Sequence, residues 1–233
     1  MTRISRVGDV RRLDLGYFIR PATETGTGHS RVEPVYGYLV VHPELTVIFD
    51  TGIGAADPET EEHYRPHRRP LEMACSDVGC SVEAIDMVIN SHLHFDHCGA
   101  NPALPGRRIV VPAAELEAAG AETYTFSALV DFDGAIYDTV KGEAEVADGL
   151  LVVPTPGHSP GHQSLLVQAQ DGTLLIAGQA TDFASEYGSA QLARRASLEV
   201  GRPVGMWPDW LDRIERFDPA RVVFAHDRAT LAR

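Results

Sequence analysis

The chain has 233 residues, 44% hydrophobic and 23% charged, with 20 Lys and Arg against 33 Asp and Glu for a formal net charge of −13. This composition suits a globular protein with a core, and no apolar run approaches the roughly 18 residues of a membrane span. The acidic balance repels polyanions and sets nucleic acid aside as a partner. The three cysteines, Cys75, Cys80 and Cys98, are too irregularly spaced for a disulfide framework or a cysteine-rich zinc site.

From the N-terminus, residues 1–19 alternate charged with apolar side chains and contain no continuous apolar segment of the secretory kind, so a cytoplasmic location is expected. β-Branched runs predict strands over 35–41, 45–49, 87–90, 108–111, 150–153, 164–168, 174–177 and 221–225. Helical patterns fall between them over 70–79, 113–119, 186–198 and 208–216. No repeat, low-complexity tract or Gly/Ser linker interrupts the series, and a single domain over 1–233 is expected. Residues 59–70 read as a loop that concentrates Arg65, Arg68 and Arg69; it is either a solvated surface or a rim for an anionic substrate group. Residues 123–137 scatter Tyr124, Phe126, Phe132 and Tyr137 through an irregular stretch, as core packing or as a lid over substrate.

The chemistry concentrates in Ser91-His92-Leu93-His94-Phe95-Asp96-His97, directly after an apolar strand. In an extended or turning segment His92 and His94 project to one side, while Asp96 and His97 lie one turn farther on and face a second point. That spacing suits a two-metal centre, and imidazole with carboxylate favours zinc, manganese or iron over calcium. Structural packing explains such a run poorly, because unpaired polar groups at a buried strand end cost about 1–3 kcal/mol each. Two further strands end on a histidine: the turn Thr155-Pro156-Gly157-His158-Ser159-Pro160-Gly161-His162 presents His158, and Phe224-Ala225-His226-Asp227 presents His226. His162 reads as a neighbour of the site and not as a ligand. Asp50 in Asp50-Thr51-Gly52 reads as a group that orients a ligand. Cys98 reads as a small residue packed behind the loop.

With these motifs the chain resembles the metallo-β-lactamase superfamily, and within it the acyl-homoserine lactonases. The resemblance rests on Asp50-Thr51-Gly52, the segment from Ser91 to Asn101, the turn from Thr155 to Leu165, and Phe224 to Asp227. It implies an α/β four-layer αβ/βα sandwich with metals at one edge of two facing sheets. It further implies that His92, His94 and His158 hold one metal and that Asp96, His97 and His226 hold another. A hydroxide activated between them would attack a lactone or ester carbonyl, with Asp96 passing a proton to the leaving oxygen. Zinc is the expected ion, as one or two per chain, with manganese or iron as alternatives. The expected partners are a small lactone or ester and, as one arrangement, a second copy of the chain. Phe126, Trp207, Arg65 and Arg68 are candidate substrate contacts, although Trp207 and Trp210 suit packing at the start of a helix better than a pocket wall.

The chain departs from this pattern after Leu174-Leu175-Ile176-Ala177-Gly178. Where the family places an aspartate bridging both metals stands Gln179, and the substrate-contacting tyrosine three residues on is replaced by Asp182. A glutamine offers only a neutral carbonyl oxygen. Either Asp182 supplies the missing carboxylate or the protein works chiefly with one metal on three histidines. Lactonase activity specifically is then in question, and another ester, a thioester or a β-lactam is an alternative substrate. A non-catalytic ligand-binding relative is a further alternative. Redox relatives fit less well, since Leu93 occupies the position where flavodiiron proteins need a glutamate and Gln179 removes the carboxylate an iron dioxygenase would use.

Overall fold

The computed structural model describes residues 6–232; residues 1–5 of the N-terminal stretch lie outside them. β1 (Val10–Arg20), β2 (Arg31–Val41), β3 (Thr46–Phe49), β4 (His67–Arg68), β5 (Met87–Ile89), β6 (Arg108–Pro112) and β7 (Ile136–Val140) form a seven-stranded sheet in the order β4-β1-β2-β3-β5-β6-β7. β8 (Ala144–Ala147), β9 (Leu150–Pro154), β10 (Gln163–Ala169), β11 (Gly172–Ile176), β12 (Arg221–Val223) and β13 (Thr230–Ala232) form a second sheet in the order β13-β12-β11-β10-β9-β8. The helices are α1 (Pro58–Tyr64), α2 (Leu71–Asp77), α3 (Ala113–Ala118), α4 (Ser127–Val130), α5 (Ala184–Val200) and α6 (Asp209–Glu215).

Strand periodicity sorts the apolar side chains into layers. Tyr38, Val40, Val47, Phe49, Met87, Ile89 and Val110 meet Leu150, Val152, Leu165, Val167, Leu174, Ile176 and Val223 between the two sheets. Their alternating neighbours face outward: Leu39, Ile48, Val88 and Ile109 pack with Leu71, Ala74 and Cys75. On the other side Val153, Leu166, Leu175 and Val222 pack with Tyr187, Trp210, Leu211 and Ile214. A central strand that is covered on both faces must be apolar throughout, and this is why these strands read as continuous runs. The result is helix, sheet, sheet, helix, the expected four-layer αβ/βα sandwich.

Chain direction explains where a site can form. β3 pairs parallel to β5, and β11 parallel to β12, while β9 and β11 each run antiparallel to β10. The C-terminal ends of β3 and β5 therefore emerge at one edge of the first sheet, and those of β9, β11 and β12 at one edge of the second. The Tyr36 N–H donates to Ala225 O at 2.9 Å and the Tyr38 hydroxyl to Phe224 O at 2.7 Å, which joins the two sheets beside that edge.

The predicted strands and helices are present with ends shifted by a few residues, apart from an earlier start to β2, and the additions have a common cause. β1 alternates only imperfectly because its pairing with β2 shifts register between Asp14 and Tyr17. β7, β8 and β13 are edge strands with polar faces. α1 buries no residue, so no apolar stripe announces it; its signals are a cap from the Asp57 side chain to Thr60 N and Pro58 in its first turn. Residues 59–70 are thus helix α1 and strand β4 around a turn, and 123–137 include α4.

The loops after β3 and β5 lie against each other at Gly99, whose N–H donates to Gly52 O at 2.7 Å. A Cβ there would sit 1.9 Å from Gly54 N. Gly99→Ala is therefore expected to lose about 3 kcal/mol or more in urea unfolding. Gly188→Ala on α5, where a Cβ meets nothing within 4 Å, should gain about 0.5–1 kcal/mol.

Candidate metal centre

Four strand ends and one turn supply the side chains. Asp50 follows β3 in the left-handed region, with φ of 61°, which an aspartate tolerates better than most residues. Its carboxylate then lies beneath the segment after β5. Oδ1 accepts from Ser91 N–H and Oδ2 from Ser91 Oγ–H, both at 2.7 Å, and Oδ2 also accepts from His97 Nδ1–H at 2.9 Å.

These bonds decide which imidazole nitrogen is free. His97 spends its Nδ1–H on Asp50, and His226 donates its Nδ1–H to Pro34 O at 2.9 Å. Their Nε2 lone pairs then face each other at 3.2 Å, with Asp96 Oδ2 3.4 Å from the first and 3.5 Å from the second. Three acceptors converge on one point, and positive charge among them, a proton or a metal cation, reconciles them. Burial opposes charging of His97, yet Asp96 and Asp50 carry its pKa up to about 10. For Asp96, burial also opposes ionisation, but His97, His226 and His94 hold the carboxyl well below its usual range. The surroundings thus draw positive charge to this spot.

The second group adjoins it. His92 donates its Nδ1–H to Ser91 Oγ at 3.0 Å, which leaves Nε2 as a lone pair 3.0 Å from His94 Nδ1; His94 Nδ1 lies 3.1 Å from His158 Nε2. Burial, then the neighbouring imidazoles, hold His92 well below its ordinary pKa, so it stays neutral. Tetrahedral zinc with Zn–N of about 2.0–2.1 Å places its nitrogens roughly 3.3 Å apart. The spacings in both groups fit that donor set. In each group one ligand atom per residue lies within 4.8 Å of the others.

His162 joins neither group. Its Nε2 accepts from Gln179 N–H at 3.0 Å and its Nδ1 is bound to Thr155, so both nitrogens are spent. Gln179 is buried and lines the cleft, but its Nε2–H donates to Asp182 Oδ1 at 2.9 Å. That bond commits the amide NH₂ to Asp182 and occupies one oxygen of the carboxylate. Cys98 is buried, with its thiol donating to Leu93 O at 3.4 Å, and burial pushes its pKa far up.

A cleft of about 480 Å³ opens over the centre, lined by His94, Asp96, His158 and Gln179 with Phe18, Arg20, Tyr64, Phe95, Tyr124 and Phe126. Phe126 and Tyr124 thus face the cleft, whereas Phe132 and Tyr137 pack in the core. The other expected contacts lie elsewhere. Arg68 donates to Gly54 O at 2.9 Å and pairs with Glu61, Arg65 lies on a separate surface depression with Glu59 and Glu62, and Arg69 pairs with Asp77. Trp207 packs against the cluster around Trp210, its Nε1–H 3.3 Å from Asp212.

Sequence patterns pointed to neither Arg20 nor Glu115. Arg20 ends β1 and reaches the cleft because buried Glu33 on β2 accepts from its Nε–H at 2.8 Å. Glu115 is wholly buried beneath the two histidine loops, in a helix of Ala, Glu and Leu within which nothing singles it out. Only cross-strand register could have exposed the first, and nothing local marks the second.

The described residues match known proteins along most of the chain. The model of the metallo-beta-lactamase superfamily matches residues 30–226. An N-acyl homoserine lactonase of Bacillus cereus is 31% identical over 156 residues, 61% of this chain and 62% of that protein. One of Bacillus sp. is 32% identical over 190 residues, 69% and 73% of the two chains. An N-acyl homoserine lactone hydrolase with N-hexanoyl-L-homoserine at its catalytic metal centre superposes with a TM-score of 0.76 at 22% identity, covering 98% of this chain and 95% of that one. A dizinc quorum-quenching lactonase gives 0.64 at 16%, covering 93% and 86%. The family match over most of the chain, together with the fold, shows that this protein belongs to the metallo-β-lactamase superfamily.

Proposed function

We propose that the protein is a metal-dependent hydrolase that opens a lactone or cleaves an ester, with N-acyl homoserine lactones the first substrates to test. The observation that carries the reading is the pair of donor groups at the floor of an aromatic cleft, with the remaining nitrogen of His92, His97 and His226 committed elsewhere. The relatives' names and the product held in a superposed lactonase support the substrate class. Zinc is the ion we propose, in view of the nitrogen-rich donors and the dizinc relative.

When bound at such a centre, the metal supplies Lewis acidity and water of lowered pKa. The protein's part is positional. His92, His94 and His158 on one side, and Asp96, His97 and His226 on the other, would hold the ions, with Asp50, Ser91 and Pro34 O fixing three of the imidazoles. Phe18, Tyr64, Phe95 and Phe126 offer an apolar wall that accepts an acyl chain and displaces water. Asp96 Oδ2 faces both the ion position and the cleft, where it can pass a proton to the leaving oxygen. Gln179, a neutral side chain at the cleft, would add no negative charge to ions held by the two groups, which would favour uneven filling.

A panel of an acyl-homoserine lactone, a simple lactone, an aryl ester and a chromogenic β-lactam, assayed with and without chelator, tests the reading. Chelation should abolish turnover of one or more of them, with recovery on adding zinc; no chelator-sensitive turnover of any would overturn it in favour of a non-catalytic binding role. Asp96→Asn should lower kcat by about 10²–10⁴-fold. Metal analysis should show Gln179→Asp holding more metal per chain than wild type. Loss of metal in Asp182→Ala would show that the neighbouring carboxylate compensates for Gln179, and unchanged content would exclude that.

A further inference from the structure

The three-histidine group contains no carboxylate, and Gln179 brings none to it. The carboxylate that does reach it from behind is Glu115 in the first turn of α3, with no exposed surface. Oε1 accepts from Leu93 N–H at 2.9 Å and from the Tyr124 hydroxyl. Oε2 accepts from Ser159 Oγ–H at 2.7 Å and Gly161 N–H at 3.1 Å. Leu93 stands between His92 and His94, Ser159 directly follows His158, and the Tyr124 ring packs on His94 with centroids 4.7 Å apart. Each oxygen therefore serves one loop: Oε1 the segment of His92 and His94, Oε2 the turn of His158.

The fit is close on the backbone as well. Gly161 lies so near α3 that an added Cβ would sit 2.3 Å from Glu115 N. All four hydrogen-bond donors are neutral, and the buried carboxylate places a negative charge behind a group whose three ligand atoms are neutral.

We propose that Glu115 is the positioning residue that assembles the three-histidine group, holding its two loops at coordination spacing and offsetting the charge of an ion bound there. The proposal rests on the metal-binding reading above. It predicts an asymmetry, because Glu115 touches no residue of the group formed by Asp96, His97 and His226. A glutamine has one carbonyl oxygen and one NH₂, so it can satisfy the donors of one loop but must turn N–H against those of the other.

Zinc titration of Glu115→Gln, followed by long-range ¹H–¹⁵N spectra that resolve the individual imidazoles, tests this with no need for turnover. The affinity reported by His92, His94 and His158 should fall about 10–100-fold, while that reported by His97 and His226 stays within about twofold of wild type. Ser159→Ala, which removes one donor to Oε2, should weaken the same group by a smaller factor and serves if Glu115→Gln does not fold. Equal affinities in wild type and the folded variants, or a parallel loss at both groups, would overturn the proposal. Wild type that binds no zinc at either group would instead overturn the metal-binding reading itself.

Discussion

The arrangement depends on lone pairs that face one another. His97 Nε2, His226 Nε2 and Asp96 Oδ2 lie within 3.5 Å of each other in a buried position at the floor of the cleft. In a low-dielectric interior such convergence costs free energy unless positive charge sits among them. Two acceptors make the demand explicit: Asp50 Oδ2 accepts from His97 Nδ1–H and from Ser91 Oγ–H, and Pro34 O accepts from His226 Nδ1–H, so neither imidazole can turn its lone pair away. Each part of the surrounding fold helps to enforce that geometry.

Enforcement comes from strand ends. Parallel pairing of β3 with β5 and of β11 with β12 brings Asp50, the segment from Ser91 to His97, Gln179 and His226 out at a common edge. Side chains just past a strand inherit its rigidity but are free of its pairing, which suits a centre that must be both precise and open to substrate. The interior between the sheets supplies the rigidity through alternating apolar residues. The loops above that interior are tied by buried polar groups: Asn101 bonds both Thr51 and Asn90, and Gln163 donates to Asn90 O.

Charge separates the two donor groups. Gln179 contributes no negative charge, and Asp182 lies against its amide as a hydrogen-bond acceptor. The two donor groups consequently differ in character. One has Asp96 among its donors and Asp50 behind His97; the other has three neutral imidazoles, with Glu115 behind its loops. Arg20, anchored by buried Glu33, adds a cation to the wall of a cleft whose other charged members are acidic or imidazole groups. A centre with unequal halves would bind ions with unequal strength, and the electrostatics of the surroundings would then bear on metal loading as directly as the ligands do.

Much of the centre was readable from local sequence, because its ligands sit in short motifs directly after apolar strands. Spacing alone put His92 with His94 and Asp96 with His97, and strand ends marked His158 and His226. The layered α/β fold was readable for the same reason, since strands covered on both faces must be apolar throughout. Edge strands and the exposed helix α1 escaped, because partly solvated elements lack an apolar signature. The arginines of 59–70 drew attention through composition, yet tertiary contacts bind two of them to Glu61, Gly54 and Asp77 and leave the cleft to Arg20. Sequence by itself determined which atoms can bind a cation, because donor chemistry belongs to the residue. The tertiary structure decided which nitrogen of each imidazole is free, what lines the cleft and where Glu115 reaches, because these depend on hydrogen bonds between segments far apart in the chain.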